Sequence, residues 1–239
     1  MAKLRRALRK SIVKQLNSLA NHFGYEVKRK LPIFYLHQYS SYEEYKEIQI
    51  RLNHAKLKHV WADEETLNVV ADRITNEFGT ATLFGLCHGS RNGFEQNYLA
   101  SKLNSEILGT DISDTADRFP RSVLWDFHKM NPDWVGKCDF IYSNSHDQSW
   151  NPRLALSTWL EQLKIGGLLF LEHSRQHSPE GASAGDPFGI QTEYFPFVLC
   201  DWFGHAIAIE IIHTRKGSTT TWHENVGMET VLFILKKMR

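Results

Sequence analysis

The chain has 239 residues, of which 42% are hydrophobic and 23% are charged, and its formal net charge is +1. This composition is ordinary for a globular protein, and the length suits one α/β domain with an appendage. No apolar run reaches the roughly 18 residues of a membrane span, no signal peptide opens the chain, and the three cysteines form no CxxC pair. We therefore expect a cytoplasmic protein without a disulfide framework or a cysteine-bound zinc ion.

Residues 1–40 are predicted to form a basic amphipathic helical arm. Nine of the first 30 residues are Lys or Arg and one, Glu26, is acidic, which leaves 19 basic and 26 acidic residues for the rest of the chain. Apolar residues recur at helical steps of three and four at Leu4, Leu8, Ile12, Val13, Leu16 and Leu19. Such a helix can lie on an anionic membrane surface or an acidic partner, or it can pack on the body. We expect no nucleic-acid partner, because no base-stacking aromatic motif accompanies the charge.

Two further helices are predicted over residues 41–62 and 63–79. Ser41 stands three residues before Glu44, which is the spacing of a capping box. The second segment has acids in its first turn and stops at Gly79, a residue suited to a helix C-cap. Both helices precede the first apolar run that is typical of a buried strand.

From residue 81 onward, short apolar runs alternate with helical patterns. Strands are predicted at 81–87, 106–112, 122–127, 138–144 and 167–173. Helices are predicted at 91–104 and 152–164. Because parallel strands need crossover connections, which are usually helices, this alternation predicts a doubly wound α/β sheet covered on both faces. Two more strands, at 205–214 and 230–238, are joined by a polar segment and predict an antiparallel finish.

The stretch FGLCHGSRNGFE, residues 84–95, joins the first of these strands to the first crossover helix. Open α/β sheets bind ligands at this edge, and glycine lets the backbone approach a ligand closely. The spacing of Gly85, Gly89 and Gly93 matches neither the GxGxxG of dinucleotide sites nor the phosphate-binding P-loop. The sequence therefore disfavours NAD and ATP as ligands.

Two acids follow the next two strands. Asp111 ends the strand EILGTD, where a carboxylate can accept hydrogen bonds from both hydroxyls of a ribose. Asp126 stands in WDF, where an acid beside an aromatic ring can bind the exocyclic amine of a purine. A ribose-binding acid without a phosphate loop indicates a nucleoside ligand that lacks a diphosphate.

These motifs resemble those of class I S-adenosylmethionine-dependent methyltransferases over residues 81–238. FGLCHGSRNGFE stands at the family's glycine-rich first motif, GTD at the second, WDF at the third and CDFIYSNSHDQSW at the fourth. CHGSRNGFEQ, DFIYSNS and a DPFG loop are similar, more narrowly, to a group of bacterial methyltransferase-like proteins. The resemblance implies a methyltransferase domain over residues 41–239, with a Rossmann-like mixed seven-stranded sheet of order 3-2-1-4-5-7-6 whose last strand is antiparallel.

The resemblance also implies which residues bind S-adenosylmethionine. The methionine and ribose side would be lined by Gly85, His88, Gly89, Ser90 and Gly93. Asp111 and Ile112 would contact the ribose, and Asp126 and Phe127 would contact the adenine. Ser143 and Asn144 would lie near the sulfonium. Arg91 is a candidate partner for the methionine carboxylate, because a guanidinium can donate two parallel hydrogen bonds. The first motif departs from the family's acid-x-G-x-G-x-G, since Thr82 or Phe84 stands where the acid should be, and Glu95 or the set His88, Ser90 and Arg91 can compensate.

A base that removes the proton of the methyl acceptor is expected after the fourth and fifth strands. His146 and His173 are the candidates, because imidazole titrates near neutral pH. Asp147 and Glu172 adjoin them in sequence, but no tight ligand spacing supports a metal site, and none is predicted. The long polar segment RQHSPEGASAGDPFG predicts a lid or a substrate wall.

The sequence thus predicts transfer of a methyl group from S-adenosylmethionine to an oxygen or nitrogen of a small molecule or saccharide. The absent acid of the first motif leaves open a second interpretation, a methyltransferase-like binding or scaffold protein without turnover. The residues alone leave the acceptor and the oligomeric state open.

Overall fold

The computed structural model describes residues 12, 15–25 and 32–239. The chain forms two compact units, Met1–Pro32 and Ile33–Arg239. In the first unit, residues 15–22 are helical. Leu4, Leu8 and Val13 of its predicted apolar face, and all nine of its basic residues, lie outside the described residues. Contact of this arm with a membrane or an acidic partner therefore stays a prediction.

The second unit begins with a short strand, β1 (Phe34–Leu36), and two helices, α1 (Tyr42–Ala55) and α2 (Glu64–Phe78). The predicted division at residue 40 lies inside this unit, because β1 belongs to it. Ser41 caps α1 and Asp63 caps α2. Each of these side chains accepts a hydrogen bond from a backbone N–H in the first turn of its helix. The first helix ends before the predicted residue 62, since the Val60 N–H instead donates to Thr221 Oγ1 and the Val60 carbonyl accepts from the Thr221 N–H.

Seven strands form one mixed sheet. The remaining elements are β2 (Phe84–His88), α3 (Phe94–Leu103), β3 (Glu106–Asp111), β4 (Ser122–Leu124), β5 (Cys138–Ser143), α4 (Pro152–Gln162), β6 (Leu163–Ser174), β7 (Phe188–Ile190), α5 (Phe195–Phe203), β8 (Ile207–Arg215) and β9 (Glu229–Lys237). The strand order is β4-β3-β2-β5-β6-β9-β8, in which β9 is antiparallel to both neighbours and the other pairs are parallel. The predicted doubly wound sheet of order 3-2-1-4-5-7-6 is confirmed.

The two faces of the sheet carry separate apolar cores. On one face, inward residues of β2, β5, β6 and β9 pack with α4 and α5, and Trp159 is fully buried there. On the other face, the alternate residues of the same strands pack with α2 and α3, and Phe140 is fully buried. Burial on both faces explains why these strands read as continuous apolar runs in the sequence. Within the described part of the chain, no helix combines the length and the apolar character that crossing a membrane requires.

Besides the first helix, three further elements have bounds whose difference from the prediction has an identifiable cause. The strand β4 ends at Leu124 and not at 127, because the Asp126 carboxylate accepts a hydrogen bond from His128 N and turns the chain. The strand β6 begins directly after α4, with Leu163 paired to Cys138, and not at 167. The helix α3 begins at Phe94 and not at 91, because the loop before it takes positive φ angles.

A second sheet of two antiparallel strands, β1 and β7, was not predicted. Phe34 pairs with Ile190, and Leu36 pairs with Phe188. Strands of three residues are too short to show the alternation of apolar and polar residues that identifies a strand in sequence. The pairing joins the start of the second unit to the end of the long polar segment that follows β6.

Candidate functional site

Three cavities lie in a row where the parallel strands end. The first, of about 290 Å³, is lined by the loop after β2, the segment after β5 and residues 56, 59–61 and 222. The middle cavity, of about 30 Å³, shares Gly89 and Arg91 with the first and includes Asp111. The third, of about 330 Å³, shares Ile112 with the middle cavity and includes Asp126. Together they trace a path from the end of β5 across β2 and β3 to the end of β4.

The loop after β2 lies against the end of β5. Gly89, Arg91 and Gly93 have φ angles of 76°, 42° and 81°. A Cβ atom on Gly89 would lie 2.5 Å from the Cβ of Ser145, so only glycine allows these two loops to meet. The backbone N–H groups of Gly89 and Ser90 both donate to the carbonyl of Thr110, which fixes the loop on β3. Gly89, Ser90 and Arg91 line the first cavity.

Four residues of the predicted cofactor set line none of the three cavities: Gly85, His88, Gly93 and Ser143. Gly85 packs on the ring of Phe140, which a Cβ would approach to 2.4 Å. His88 is buried between Thr110 Oγ1 at 2.8 Å and Gln162 Oε1 at 2.9 Å. Burial lowers the pKa of His88 to about 4, so its imidazole is neutral. Gly85 and His88 are thus in contact with packed neighbours, and a role of the four residues in cofactor binding stays a prediction.

Glu95 supplies a carboxyl group to the first cavity. It lies in the first turn of α3, is 6% exposed, and its Oε1 accepts a hydrogen bond of 3.0 Å from Asn144 Nδ2. Asn144 also lines the cavity. Burial raises the pKa of Glu95. An acid therefore stands at this site although the first motif lacks one at its usual position.

Asp111 ends β3 and lines the middle cavity. Its Oδ2 accepts a hydrogen bond from the backbone N–H of Arg91 at 3.1 Å, and its Oδ1 accepts one from Ser113 N at 2.9 Å. Burial raises the pKa of Asp111. Ile112 follows it and lies between the middle and third cavities. Both residues predicted for the ribose thus stand at the centre of the row.

The helix α1 covers the middle cavity. Tyr45, Gln49 and Asn53 line it from this helix. Their hydrogen bonds tie α1 down: Tyr45 donates to Gln148 O at 3.0 Å, Gln49 donates to Gly185 O at 3.0 Å, and Asn53 accepts from Thr115 at 2.7 Å. These side chains reduce the cavity to roughly the space that one water molecule occupies in the liquid.

Asp126 and Phe127 lie at the other end of the row. Asp126 lines the third cavity and accepts hydrogen bonds from His128 N at 3.0 Å and from the Tyr42 hydroxyl at 2.5 Å. Burial opposes its ionisation, but the hydrogen bonds from His128 and Tyr42 outweigh burial and lower the pKa of Asp126 to about 2. Phe127 lines the middle cavity, with its ring edge-on to Trp159. The structure therefore brings Asp111, Asp126 and Phe127 to one continuous surface.

The two predicted bases, His146 and His173, form a buried cluster with His177. The three ring centroids lie 5.2 to 5.5 Å apart, His146 Nε2 is 3.2 Å from His173 Nδ1, and Phe195 of α5 stacks on His146. Burial lowers the pKa of all three imidazoles. Only His177 of the three lines the first cavity, so His146 and His173 lie behind its wall.

Glu172 is part of a buried ionic group that the sequence did not indicate. Its carboxylate accepts hydrogen bonds from the Tyr142 hydroxyl at 2.6 Å, from Trp61 Nε1 at 3.2 Å and from Lys216. The Lys216 ammonium also lies 3.2 Å from Asp63, and all three charged side chains are fully buried. A lysine within a polar hairpin carries no sequence signal of burial. Among residues 12, 15–25 and 32–239, no group of three or more His, Cys, Asp or Glu is arranged to hold a metal ion.

Asp147 stands in the wall of the first cavity, beside His177 and Asp186. Its Oδ2 is 3.8 Å from His177 Nε2, and its buried Oδ1 has no hydrogen-bond partner among the described residues. Burial, followed by the charge of Asp186, raises the pKa of Asp147 well above its usual value. Two indole rings, Trp61 and Trp222, line the same cavity and were not predicted.

Comparisons with known proteins agree with this architecture. The sequence matches no protein-family model and no curated protein. Among solved structures, it is similar to the Burkholderia thailandensis 1,6-didemethyltoxoflavin-N1-methyltransferase with its substrate and S-adenosylhomocysteine bound, at 12% identity and a TM-score of 0.61 over 89% of this chain and 94% of that one. The chain has the class I methyltransferase fold.

Two further structures carry the same likeness. One is the Streptomyces coelicolor A3(2) geranyl diphosphate C-methyltransferase in complex with Mg²⁺, geranyl diphosphate and S-adenosylhomocysteine, with a TM-score of 0.56 at 13% identity, over 84% of this chain and 100% of that one. The other is a SAM-dependent methyltransferase from Aquifex aeolicus, with a TM-score of 0.51 at 16% identity, over 76% and 97% of the two chains. At these identities the likeness concerns the fold.

Proposed function

We propose that the protein binds S-adenosylmethionine along the three cavities and transfers its methyl group to an oxygen or nitrogen of a small molecule or saccharide. Asp111 carries this proposal: it ends the second strand of a methyltransferase-type sheet, is 8% exposed and lines the cavity that joins the other two. A carboxylate at this position can accept hydrogen bonds from both hydroxyls of a ribose. The similar proteins from Burkholderia thailandensis and Streptomyces coelicolor bind S-adenosylhomocysteine, which supports the same class of cofactor.

The first cavity has the chemistry needed for the methionine end. Glu95 offers a carboxylate to the α-ammonium group, next to the Asn144 amide. Arg91, whose Nη1 now donates to His59 O at 3.2 Å, offers a guanidinium to the α-carboxylate. Gly89 lets the loop after β2 lie directly against Ser145 at the wall of this cavity. Both charged ends of an amino acid therefore find a partner of opposite sign.

The adenosine half fits the other two cavities on one condition. Asp111 would accept the ribose hydroxyls, while Ile112 and Phe127 would flank the adenine and Asp126 would accept its exocyclic amine. The middle cavity is too narrow for a ribose while Tyr45, Gln49 and Asn53 fill it. Entry of the nucleoside therefore requires α1 to move away from the sheet edge. The hydrogen bonds that hold α1 contribute about 1 kcal/mol each, which makes such a movement accessible.

The residues act by orientation and by control of protons. S-adenosylmethionine supplies an electrophilic methyl group on a cationic sulfonium. Glu95, Arg91 and Asp111 would hold the two ends of this molecule, so that its central part faces the wall formed by Asp147 and His177. Fixing donor and acceptor in one cavity removes most of the entropic cost of an in-line displacement. Removal of the acceptor's proton by a side chain then contributes about 10² to 10⁴ in rate.

Calorimetry with S-adenosylhomocysteine tests the proposal. We expect micromolar binding by the wild type and a 10- to 100-fold weaker affinity for Asp111→Asn, because hydrogen bonds to a charged group contribute about 1.5 to 3 kcal/mol. Asp117→Asn, the same change at an exposed position of the adjacent turn, is the matched control and should bind as the wild type does. A folded wild type that gives no heat contradicts the proposal. Binding without transfer to any acceptor would support the scaffold interpretation.

A further inference from the structure

Part of the first cavity is lined by side chains that the cofactor proposal leaves unused. They are contributed by four separate segments of the chain and combine aromatic, acidic and amide groups: Trp61, Asp147, Gln148, His177, Asp186 and Trp222. None of them belongs to the first three methyltransferase-type motifs. They are therefore candidates for the surface that receives the methyl acceptor.

Both indole rings of this surface are held in place by their neighbours. Trp61 donates from Nε1 to Glu172, its ring lies 4.9 Å from the Lys216 ammonium, and His177 meets it edge-on. Trp222 lies against His59 at a centroid distance of 4.9 Å. Two fixed aromatic rings form flat apolar walls for a compact ligand, and an indole can add one N–H donor.

Two polar atoms of this wall lack partners, and they are of opposite kind. Asp147 Oδ1 is a buried acceptor without a donor, and Trp222 Nε1 is a buried donor without an acceptor, among the residues that the structure describes. Buried polar atoms are nearly always hydrogen-bonded, so two such atoms in one cavity wall indicate a ligand that supplies both functions. A hydroxyl group donates and accepts, whereas an ammonium group only donates.

The neighbours of Asp147 favour its use as a proton acceptor. His177 Nδ1 accepts a hydrogen bond from the backbone N–H of Ser174, so its proton resides on Nε2, which faces Asp147 Oδ2 at 3.8 Å. This contact is longer than a hydrogen bond, and Asp147 Oδ1 has no hydrogen-bond partner among the described residues. Asp147 also follows Asn144 by three residues at the end of β5, so it stands next to the group expected near the sulfonium.

We propose that the methyl acceptor is a small polyhydroxylated compound and that Asp147 takes the proton from the hydroxyl that becomes methylated. This inference rests on the proposed function. The acceptor oxygen forms a bond to the methyl carbon while the carbon–sulfur bond breaks, and the bonding electron pair stays on sulfur as the neutral thioether of S-adenosylhomocysteine. The hydroxyl proton passes to the Asp147 carboxylate and from there to water. Burial raises the pKa of Asp147, so the fraction of carboxylate that can take the proton rises with pH.

The test combines transfer and binding on the full chain. Transfer of a labelled methyl group from S-adenosylmethionine is measured to a hydroxyl pool of glycerol, myo-inositol, glucose and rhamnose, and to an amine pool of putrescine and cadaverine. We expect transfer to the hydroxyl pool and a kcat that rises with pH to a plateau as Asp147 ionises. Asp147→Asn should lower kcat at least 100-fold and remove this pH dependence, with unchanged affinity for S-adenosylhomocysteine. Asp147→Glu, which keeps a carboxylate, should retain part of the rate and the pH dependence.

Asp133→Asn makes the same chemical change at an exposed position outside all three cavities and should leave kcat unchanged. Failure of the wild type to bind S-adenosylhomocysteine overturns the proposed function and this inference with it. Binding without transfer to the hydroxyl pool, transfer to the amine pool alone, or an Asp147→Asn rate within threefold of the wild type overturns this inference while leaving cofactor binding intact. If Asp147→Asn does not bind S-adenosylhomocysteine, the rate and pH dependence of transfer by Asp147→Glu test the inference instead. Partial retention of both supports it, and loss of either overturns it.

Discussion

The two halves of the sheet edge satisfy their carboxyl groups differently. At the ends of β3 and β4, Asp111 and Asp126 each have both oxygens in hydrogen bonds. At the ends of β5 and β6, Glu172 is paired with a fully buried lysine, Lys216, whereas Asp147 keeps one oxygen without a partner among the described residues. The carboxyl oxygens at the ends of β3 and β4 are therefore all hydrogen-bonded within the protein, whereas Asp147 Oδ1 is hydrogen-bonded to no described residue.

This difference separates two tasks. A fully bonded carboxylate has a fixed position, which suits recognition of a ligand part that is always the same, such as a ribose. A carboxyl group with one oxygen outside any hydrogen bond has an acceptor atom to which a reacting hydroxyl can donate. The buried ionic group of Asp63, Glu172 and Lys216 supports Trp61 in this second half. We expect the largest effect from a change in this ionic group, a smaller one from a change on the cofactor side, and the smallest from a change in α1.

The largest effect is expected from Lys216→Met. This change leaves the carboxylates of Asp63 and Glu172 buried without their cation, which costs about 3 to 5 kcal/mol of unfolding free energy. Urea denaturation measures the loss. Lys236→Met is the matched control, because Lys236 pairs with Glu77 with 40% of its side chain exposed and should contribute at most about 1 kcal/mol. An equal loss of unfolding free energy in the two variants would show that the buried ionic group contributes no more to stability than an exposed ion pair.

A smaller effect, on binding alone, is expected from Glu95→Gln. The affinity of the wild type for S-adenosylhomocysteine should rise with pH as Glu95 ionises, since its pKa is raised by burial and only the ionised form attracts an ammonium group. The variant should bind about tenfold more weakly at neutral pH and lose this pH dependence. Calorimetry between pH 5 and 8 measures both, with exposed Glu106→Gln as the control. An unchanged pH profile would remove Glu95 from the cofactor site.

The smallest effect is expected from Gln49→Ala in α1. Loss of its hydrogen bond to Gly185 O makes displacement of α1 easier by about 1 kcal/mol, so S-adenosylhomocysteine should associate about fivefold faster. Stopped-flow fluorescence of the tryptophans measures the rate. Glu47→Ala, on the exposed face of the same helix, controls for helix propensity. An association rate that does not change would mean that the nucleoside enters without movement of α1.

The sequence sufficed for the fold because its signals are local. Alternating apolar runs and helical patterns predict a parallel sheet, and the antiparallel pair after residue 205 predicts how the sheet ends. The three-residue strands β1 and β7 carry no such signal, and their pairing depends on contact between segments that lie far apart in the chain. The ends of β4 and β6 likewise depend on single contacts, such as the Asp126 to His128 hydrogen bond.

The sequence was less informative about the site. Motif positions that end a strand, such as Asp111 and Asn144, do line the cavities. His88 and Gly85 instead face packed neighbours, because alternate residues of a strand point to opposite faces. Trp61, Trp222 and Lys216 come from segments between the elements, and only the folded chain brings them together. The burial of Lys216 could not be inferred from its polar sequence context.

The small sheet of β1 and β7 sets a limit on how the protein can be divided. The segment between β6 and β7 contributes Gly181 and Asp186 to the first cavity, and it is anchored at its far end by the pairing of β7 with Phe34–Leu36 and by the Gln49 hydrogen bond to Gly185 O. A fragment cut at residue 41 would leave β7 with an open edge, which is the kind of surface that attracts other chains. Phe34–Leu36, which fall within the predicted arm of residues 1–40, therefore belong to the smallest fragment of this protein that can hold the three cavities.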